Sequence, residues 1–239
     1  QGATSADFAT DAAAALAALR ASKAAGPGPV GILGHSEGGL IAAILASGPE
    51  PRPDFCVLIG GPAVRGDQIL MSQSRAIMKA SGQNPLNIET AAKVNRKIYD
   101  LLLAKAGDPS LEKELRKTLM AAGVIGKAQD AQVAQLTDPW FLYFVALDPA
   151  PLWKASRLPV LALYGSLDLQ VPSPWNPEGM RDLLAAAGNP ASKVLSLEGL
   201  NHMMQKAKTG SPSEYAAIEE TMNPAVRDAL LPWLGSLPR

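Results

Sequence analysis

Covalent chemistry in this chain could come from one serine set between glycines, from its 2 histidines and from one late aspartate. Gly34, His35, Ser36, Glu37 and Gly38 match the pattern GxSxG, in which a sharp strand-to-helix turn lifts a serine hydroxyl above the end of a sheet. Glycine is expected two residues to either side, because a side chain there would collide with the adjoining strand and helix. The backbone N–H of Glu37, at the start of the following helix, is placed to donate to a developing oxyanion. A serine hydroxyl is a weak nucleophile at neutral pH, so a base must take its proton and a third group must orient that base. His35 adjoins the serine and diverges from it around the turn, which makes it a packed, hydrogen-bonded side chain. His202, in GLNHMMQ, is the expected base. Asp168, in GSLDLQVP, is the expected orienting carboxylate. Asp148 falls among helical segments and Glu198 within a strand end, so both suit that task less; Asn201, beside the base, serves to orient its loop.

These groups need a scaffold, and the hydrophobic pattern supplies one. The runs VGILG (30–34), FCVLIGG (55–61), LPVLALYG (158–165) and KVLSLEG (193–199) read as strands, and FCVLIGG is continuously rather than alternately apolar, as a parallel strand covered on both faces is. The small and apolar GGLIAAILA after Ser36 reads as a helix. So does the Ala-rich stretch 6–23, with Asp7 and Asp11 early, Arg20 and Lys23 late, and the breaker GPGP (26–29) after it. From Val64 to about Ala150, apolar residues recur at helical spacing in DQILMSQSRAIMKA, TAAKVNRKIYDLLLAKA and LEKELRKTLMAA. A helix around Glu178 to Ala187 should stop at Gly188, and a final helix should cover roughly Ser213 to Leu234. Strands and helices in alternation, interrupted once by helices, predict an α/β fold with a mostly parallel sheet. Its core would be 1–63 and 151–239, with 64–150 inserted as a helical cap.

Composition narrows the partners. Lys plus Arg and Asp plus Glu both number 22, so no basic excess invites nucleic acid or a membrane surface. Apolar stretches, such as the one ending at Ala46, are interrupted well short of the ~20 residues of a spanning helix. Cys56 is the single cysteine and can form no intramolecular disulfide; it reads as core filler. HExxH, a Cys and His cluster and paired acidic ligands do not occur, so no metal is expected, and no dinucleotide cofactor is expected either. The expected partner is a small-molecule substrate.

GHSEGG (34–39), GGPAVRGDQILMSQ (60–73), DPAPLW (148–153), PVLALYGSLDLQVP (159–172) and GLNHMMQ (199–205) together resemble the bacterial α/β-hydrolase family of esterases related to the dienelactone hydrolase and prolyl oligopeptidase groups. The similarity extends over essentially the whole chain. It implies an esterase-like, cofactor-free enzyme with Ser36 as nucleophile, Asp168 as acid, His202 as base and a helical lid. Trp140, Phe141, Tyr143 and Phe144 in the lid are either packing or the wall of an acyl pocket, as are Met71 and Met78. Peptide or thioester cleavage uses the same constellation, and a hydrolase-derived binding module that turns nothing over is the reading from another class. In such folds several strands precede the elbow strand, yet the nucleophile here is residue 36 of a chain whose first residue is Gln1. This predicts that the chain is the C-terminal portion of the fold. A preceding segment or separate chain would then pair beside Val30 to Gly34 and bring the second oxyanion donor, which this chain lacks.

Overall fold

The computed structural model describes residues 2–22, 26–173 and 175–237; Gln1 and the expected helix end at Lys23 lie outside them. α1 (Ser5–Ala21) precedes β1 (Ile32–His35), α2 (Glu37–Ser47) and β2 (Cys56–Ile59). Then come α3 (Gly66–Ala80), α4 (Pro85–Lys105), α5 (Leu111–Ala121), α6 (Gly126–Leu136), α7 (Pro139–Ala146) and α8 (Pro149–Ala155). The chain returns to the sheet with β3 (Val160–Gly165), α9 (Trp175–Ala187) and β4 (Lys193–Leu197), and finishes with a 3-10 turn (Pro212–Ala217) and α10 (Pro224–Gly235). The 4 strands lie in the order β1-β2-β3-β4, all parallel, with Gly34 beside Leu58, Leu58 beside Ala162 and Ala162 beside Val194. Each of the four apolar runs thus forms a strand, within one or two residues of the expected bounds.

Continuous apolarity in β2 and β3 has the cause the pattern suggests, since every residue of both is buried. Successive side chains point to opposite faces. Cys56 and Leu58 meet Val160, Ala162 and Tyr164 under Ala42, Ala43 and Ala46 of α2, Trp153 of α8 and Met180 and Leu183 of α9. Val57 and Ile59 meet Leu161 and Leu163 on the other face, under Val226 and Trp233 of α10. Burial pushes the Cys56 thiol up to about 12, so it is an inert core side chain. β1 forms one margin of the sheet, where Leu33 remains 54% exposed.

The helices between β2 and β3 build a separate apolar core from Ile98 and Leu102 of α4, Leu115 and Leu119 of α5, Val133 of α6 and Phe141 and Val145 of α7. α8 spans the expected boundary at 150 but sits on the sheet side, with Trp153 fully buried between α2 and α9. Among the described residues no helix is long and apolar enough to cross a membrane.

α4, α7, α8 and α10 start alike. Asn84, Asp138, Asp148 and Asn223 each cap the helix through a side-chain oxygen that accepts from a first-turn N–H, and a proline follows each at the first helical position. This start corrects the expected final helix, which begins at Pro224 and not near Ser213. Only a short 3-10 turn forms at Pro212–Ala217. The backbone between the two is recruited elsewhere: the Glu220 carbonyl accepts from Gln205 Nε2 at 2.9 Å, and the Asn223 N–H donates to the Met204 carbonyl at 2.8 Å.

At the start of α3, Asp67 is fully buried and accepts from Arg65 at 2.6 Å and from Arg96 of α4 at 2.8 Å. Burial alone would raise this carboxyl, but the two guanidinium groups hold it below its ordinary value. The folded protein therefore binds that proton less readily than the unfolded chain. The resulting stabilisation is complete above the unfolded carboxylate value of about 4 and is lost as pH falls through the lower folded value. Asp67→Ala should cost roughly 2–3 kcal/mol at pH 7, less than a fully buried pair because both guanidinium groups are partly solvated. Urea denaturation from pH 7 to 3 checks this: the gap between wild type and Asp67→Asn should begin to narrow below about pH 4, and a constant gap would contradict it.

Candidate active site

Parallel strands place all their carboxyl ends at one edge of the sheet, where the loops that follow can meet. β1 ends at His35, and Ser36 turns the chain into α2 with φ 55° and ψ −119°, a conformation that costs a non-glycine residue about 1–3 kcal/mol. Neighbours hold it there, since the Ser36 N–H donates to the Ile59 carbonyl at 2.9 Å and the Gly39 N–H donates to the Ser36 carbonyl at 2.8 Å. At Gly34 a Cβ would lie 2.1 Å from the Gly38 carbonyl oxygen, so glycine is required, as expected. At Gly38 the expectation fails, because a Cβ would meet nothing within 4 Å. The close approach falls one residue later, at Gly39, where a Cβ would come 2.7 Å from Gly61 Cα.

Asp168 lies in the loop after β3 and His202 in the loop after β4, each with 3% of its surface exposed. His202 Nδ1–H donates to Asp168 Oδ2 at 2.8 Å, the tautomer whose neutral ring has Nε2 as the proton acceptor. The other carboxylate oxygen, Oδ1, accepts from the N–H groups of Gln170 and Val171, both at 2.8 Å. The carboxylate is therefore oriented from both ends.

Asn201 shapes the loop that presents the imidazole. Its Oδ1 accepts from the N–H groups of Met203 at 2.9 Å and Gln205 at 3.0 Å, and its Nδ2 donates to Gln205 Oε1 at 3.1 Å. Met204 adopts φ 57° within that knot. Glycine makes the approach of the loops possible. Gly60, directly after β2, has φ 58°, and a Cβ there would stand 3.0 Å from His202 Nδ1 and 3.2 Å from Asp168 Oδ2. At Gly165, the end of β3, a Cβ would lie 2.3 Å from the Leu200 carbonyl oxygen. Gly60, Gly165, Gln205 and Glu220 were not singled out from sequence; the one available signal was the Gly pair that ends the run FCVLIGG.

His35 Nε2–H donates to the carbonyl of His202 at 2.9 Å, and the two rings lie 4.7 Å apart. Burial against that loop lowers His35 below the ordinary histidine range, with the bond to the carbonyl opposing. This contact makes the Ser36 elbow and the His202 loop neighbours. Of the other expected residues, Asp148 is the cap of α8, Glu198 is exposed, and Phe141 is buried in the core of the inserted helices. Trp140 stacks on Phe144 with centroids 5.6 Å apart, and its indole N–H donates to Glu37 Oε1 at 2.7 Å. Tyr143 is partly buried on the same helix. Among the described residues no group of 3 or more His, Cys, Asp and Glu side chains could hold a metal ion.

Gly60→Ala should push the imidazole and the carboxylate apart without unfolding the sheet. The expected result is a loss of catalytic turnover of roughly 100-fold, the scale of an ångström of misplacement at reacting groups. The low-field proton resonance of the His202–Asp168 hydrogen bond should shift or vanish in the variant while its circular dichroism stays native. An unaltered resonance would contradict the crowding argument.

Residues 1–218 match the model of the alpha/beta hydrolase family. Among curated protein sequences none matches the chain. Solved structures do resemble it. BpoC of Mycobacterium tuberculosis H37Rv, a candidate non-heme bromoperoxidase, is 19% identical over 100% of this chain and 76% of its own, with a TM-score of 0.50. VinJ is 16% identical over 98% of this chain and 73% of its own, with a TM-score of 0.52. The esterase RhEst1 from Rhodococcus sp. ECU1013 is 20% identical over 98% of this chain and 73% of its own, with a TM-score of 0.47. At such identities the likeness to BpoC and VinJ is one of fold, and it agrees with the parallel sheet. With the family model extending from the first residue to 218, the chain belongs to the α/β-hydrolase family.

Proposed function

We propose that this protein is a serine hydrolase that cleaves carboxylic esters through an acyl-enzyme, with Ser36 as nucleophile, His202 as base and Asp168 as the orienting acid. The observation that carries the reading is the buried 2.8 Å hydrogen bond from His202 to Asp168, one ring contact away from the serine elbow. In the first half-reaction Ser36 Oγ attacks the ester carbonyl as its proton passes to His202 Nε2. The imidazolium formed is stabilised by Asp168 and returns the proton to the departing alcohol. Water, activated by the same nitrogen, then releases the acid and restores Ser36. The Glu37 N–H, at the free start of α2, is the first oxyanion donor. A strand pairing with the open margin of β1 would bring the second.

Residues 64–150 act, in this reading, as a lid with its own core, and the Trp140 and Phe144 pair on α7, with Tyr143, walls an acyl pocket. Phe141 supports that wall from behind. The apolar character of these side chains favours uncharged acyl groups. Kinship with dienelactone hydrolase and prolyl oligopeptidase esterases belongs to the same proposal and rests on GHSEGG and the GPAVRGDQIL segment.

Hydrolysis of p-nitrophenyl esters, beside peptide and thioester panels, tests the proposal. Ser36→Ala and His202→Ala should each lower kcat by about 10^4-fold or more, since the members of such a unit act together, while melting temperatures stay near that of the wild type. Near-native turnover in His202→Ala would reject the assignment. Turnover confined to peptides or thioesters would keep the mechanism and replace the substrate.

A further inference from the structure

A second carboxylate sits beside Ser36 and joins parts of the chain that are far apart in sequence. Glu37 is the first residue of α2. Its Oε1 accepts two hydrogen bonds, from the Ser5 hydroxyl at 2.7 Å and from the Trp140 indole N–H at 2.7 Å. Ser5 is the first residue of α1, and Trp140 is the second of α7, after Pro139. One oxygen thus ties the starts of α1, α2 and α7, with partners 32 and 103 residues away along the chain.

A glutamate in a first helical turn is usually accounted for by the helix dipole alone. A solvated residue of that kind would not gather donors from two remote helices. Here both donors depend on it: Ser5 is fully buried, and an indole N–H can only donate. Withdrawing the acceptor would leave two buried or half-buried donors unsatisfied, which costs more than the bonds contribute in water. The indole is also stacked on Phe144, so a shift of Trp140 moves an aromatic pair and not one ring.

We propose that Glu37 is a positioning residue that fixes the Trp140 and Phe144 wall relative to the neighbouring Ser36 and thereby sets the acyl length the site accepts. The substrate consequence rests on the proposed reading of Ser36 as nucleophile and of the aromatic pair as acyl wall; the junction itself does not. Long acyl chains would feel the wall and an acetyl group would not, so loss of Glu37 alters selectivity through KM as well as kcat. Geometry and not charge is the requirement, because the side-chain oxygen of a glutamine can accept the same two bonds.

The test uses wild type, Glu37→Ala, Glu37→Gln, Trp140→Phe and the double variant Glu37→Ala with Trp140→Phe. In wild type the Trp140 indole 1H–15N cross-peak, assigned by its absence in Trp140→Phe, should be shifted downfield and slow to exchange with water. Glu37→Ala should move it to the position of a solvated indole, and Glu37→Gln should keep it protected. The ratio of kcat/KM for p-nitrophenyl octanoate over the acetate should fall about tenfold in Glu37→Ala and in Trp140→Phe, the scale of one hydrogen bond. It should fall no further in the double variant, and Glu37→Gln should restore it to within about threefold. A cross-peak that ignores Glu37→Ala, additive losses in the double variant, or failure of glutamine to rescue would each overturn the proposal. Should Glu37→Ala not fold, Glu37→Gln and Trp140→Phe decide it by the same readings. No ester turnover in wild type with a cross-peak that still follows Glu37 would remove the nucleophile assignment and leave the junction standing.

Discussion

An imidazole and a carboxylate that both lie out of water stay 2.8 Å apart only if the backbone brings two loops together and nothing intrudes between them. Much of the architecture follows from that demand. Parallel strands put the Asp168 and His202 loops at the same edge. Gly165 lets the end of β3 touch the loop that carries the imidazole, and Gly60 vacates the space beneath the pair. Each remaining acceptor or donor is then answered locally, with Asp168 Oδ1 closed by two N–H groups and the His202 loop wound around Asn201. The His35 bond to the His202 carbonyl connects this arrangement to the strained turn at Ser36.

Local patterns were legible in proportion to how local their causes are. The strands could be read because β2 and β3 are buried on both faces and so carry no polar residue to break the run. The helices α3, α4 and α5 could be read because each buries one stripe against the inserted core. The last helix was misjudged where a local signal was present, since Asn223 followed by Pro224 is the same start that opens α4, α7 and α8. What obscured it was the stretch before it, whose backbone is bound to the His202 loop, a tertiary demand with no periodicity.

For the candidate site, residue types and chain order marked Ser36, Asp168 and His202, while the residues that let the Asp168 and His202 loops approach stayed hidden. Gly38 belongs to the motif but has open space, whereas Gly39 is pressed against Gly61. That distinction depends on how closely α2 crosses the end of β2, which five letters do not encode. Gly60 resembles any glycine ending a strand. Glu37 looks like a dipole-complementing first-turn acid, and only the fold brings Ser5 and Trp140 to it.

In the proposed reading this geometry activates Ser36 as a nucleophile. Treatment of the folded protein with a fluorophosphonate, followed by intact mass and peptide mapping, tests it most directly. One adduct per chain is expected, located on Ser36, absent from Ser36→Ala and formed far more slowly in His202→Ala. A folded wild type that forms no adduct, or one labelled at another residue, would contradict it.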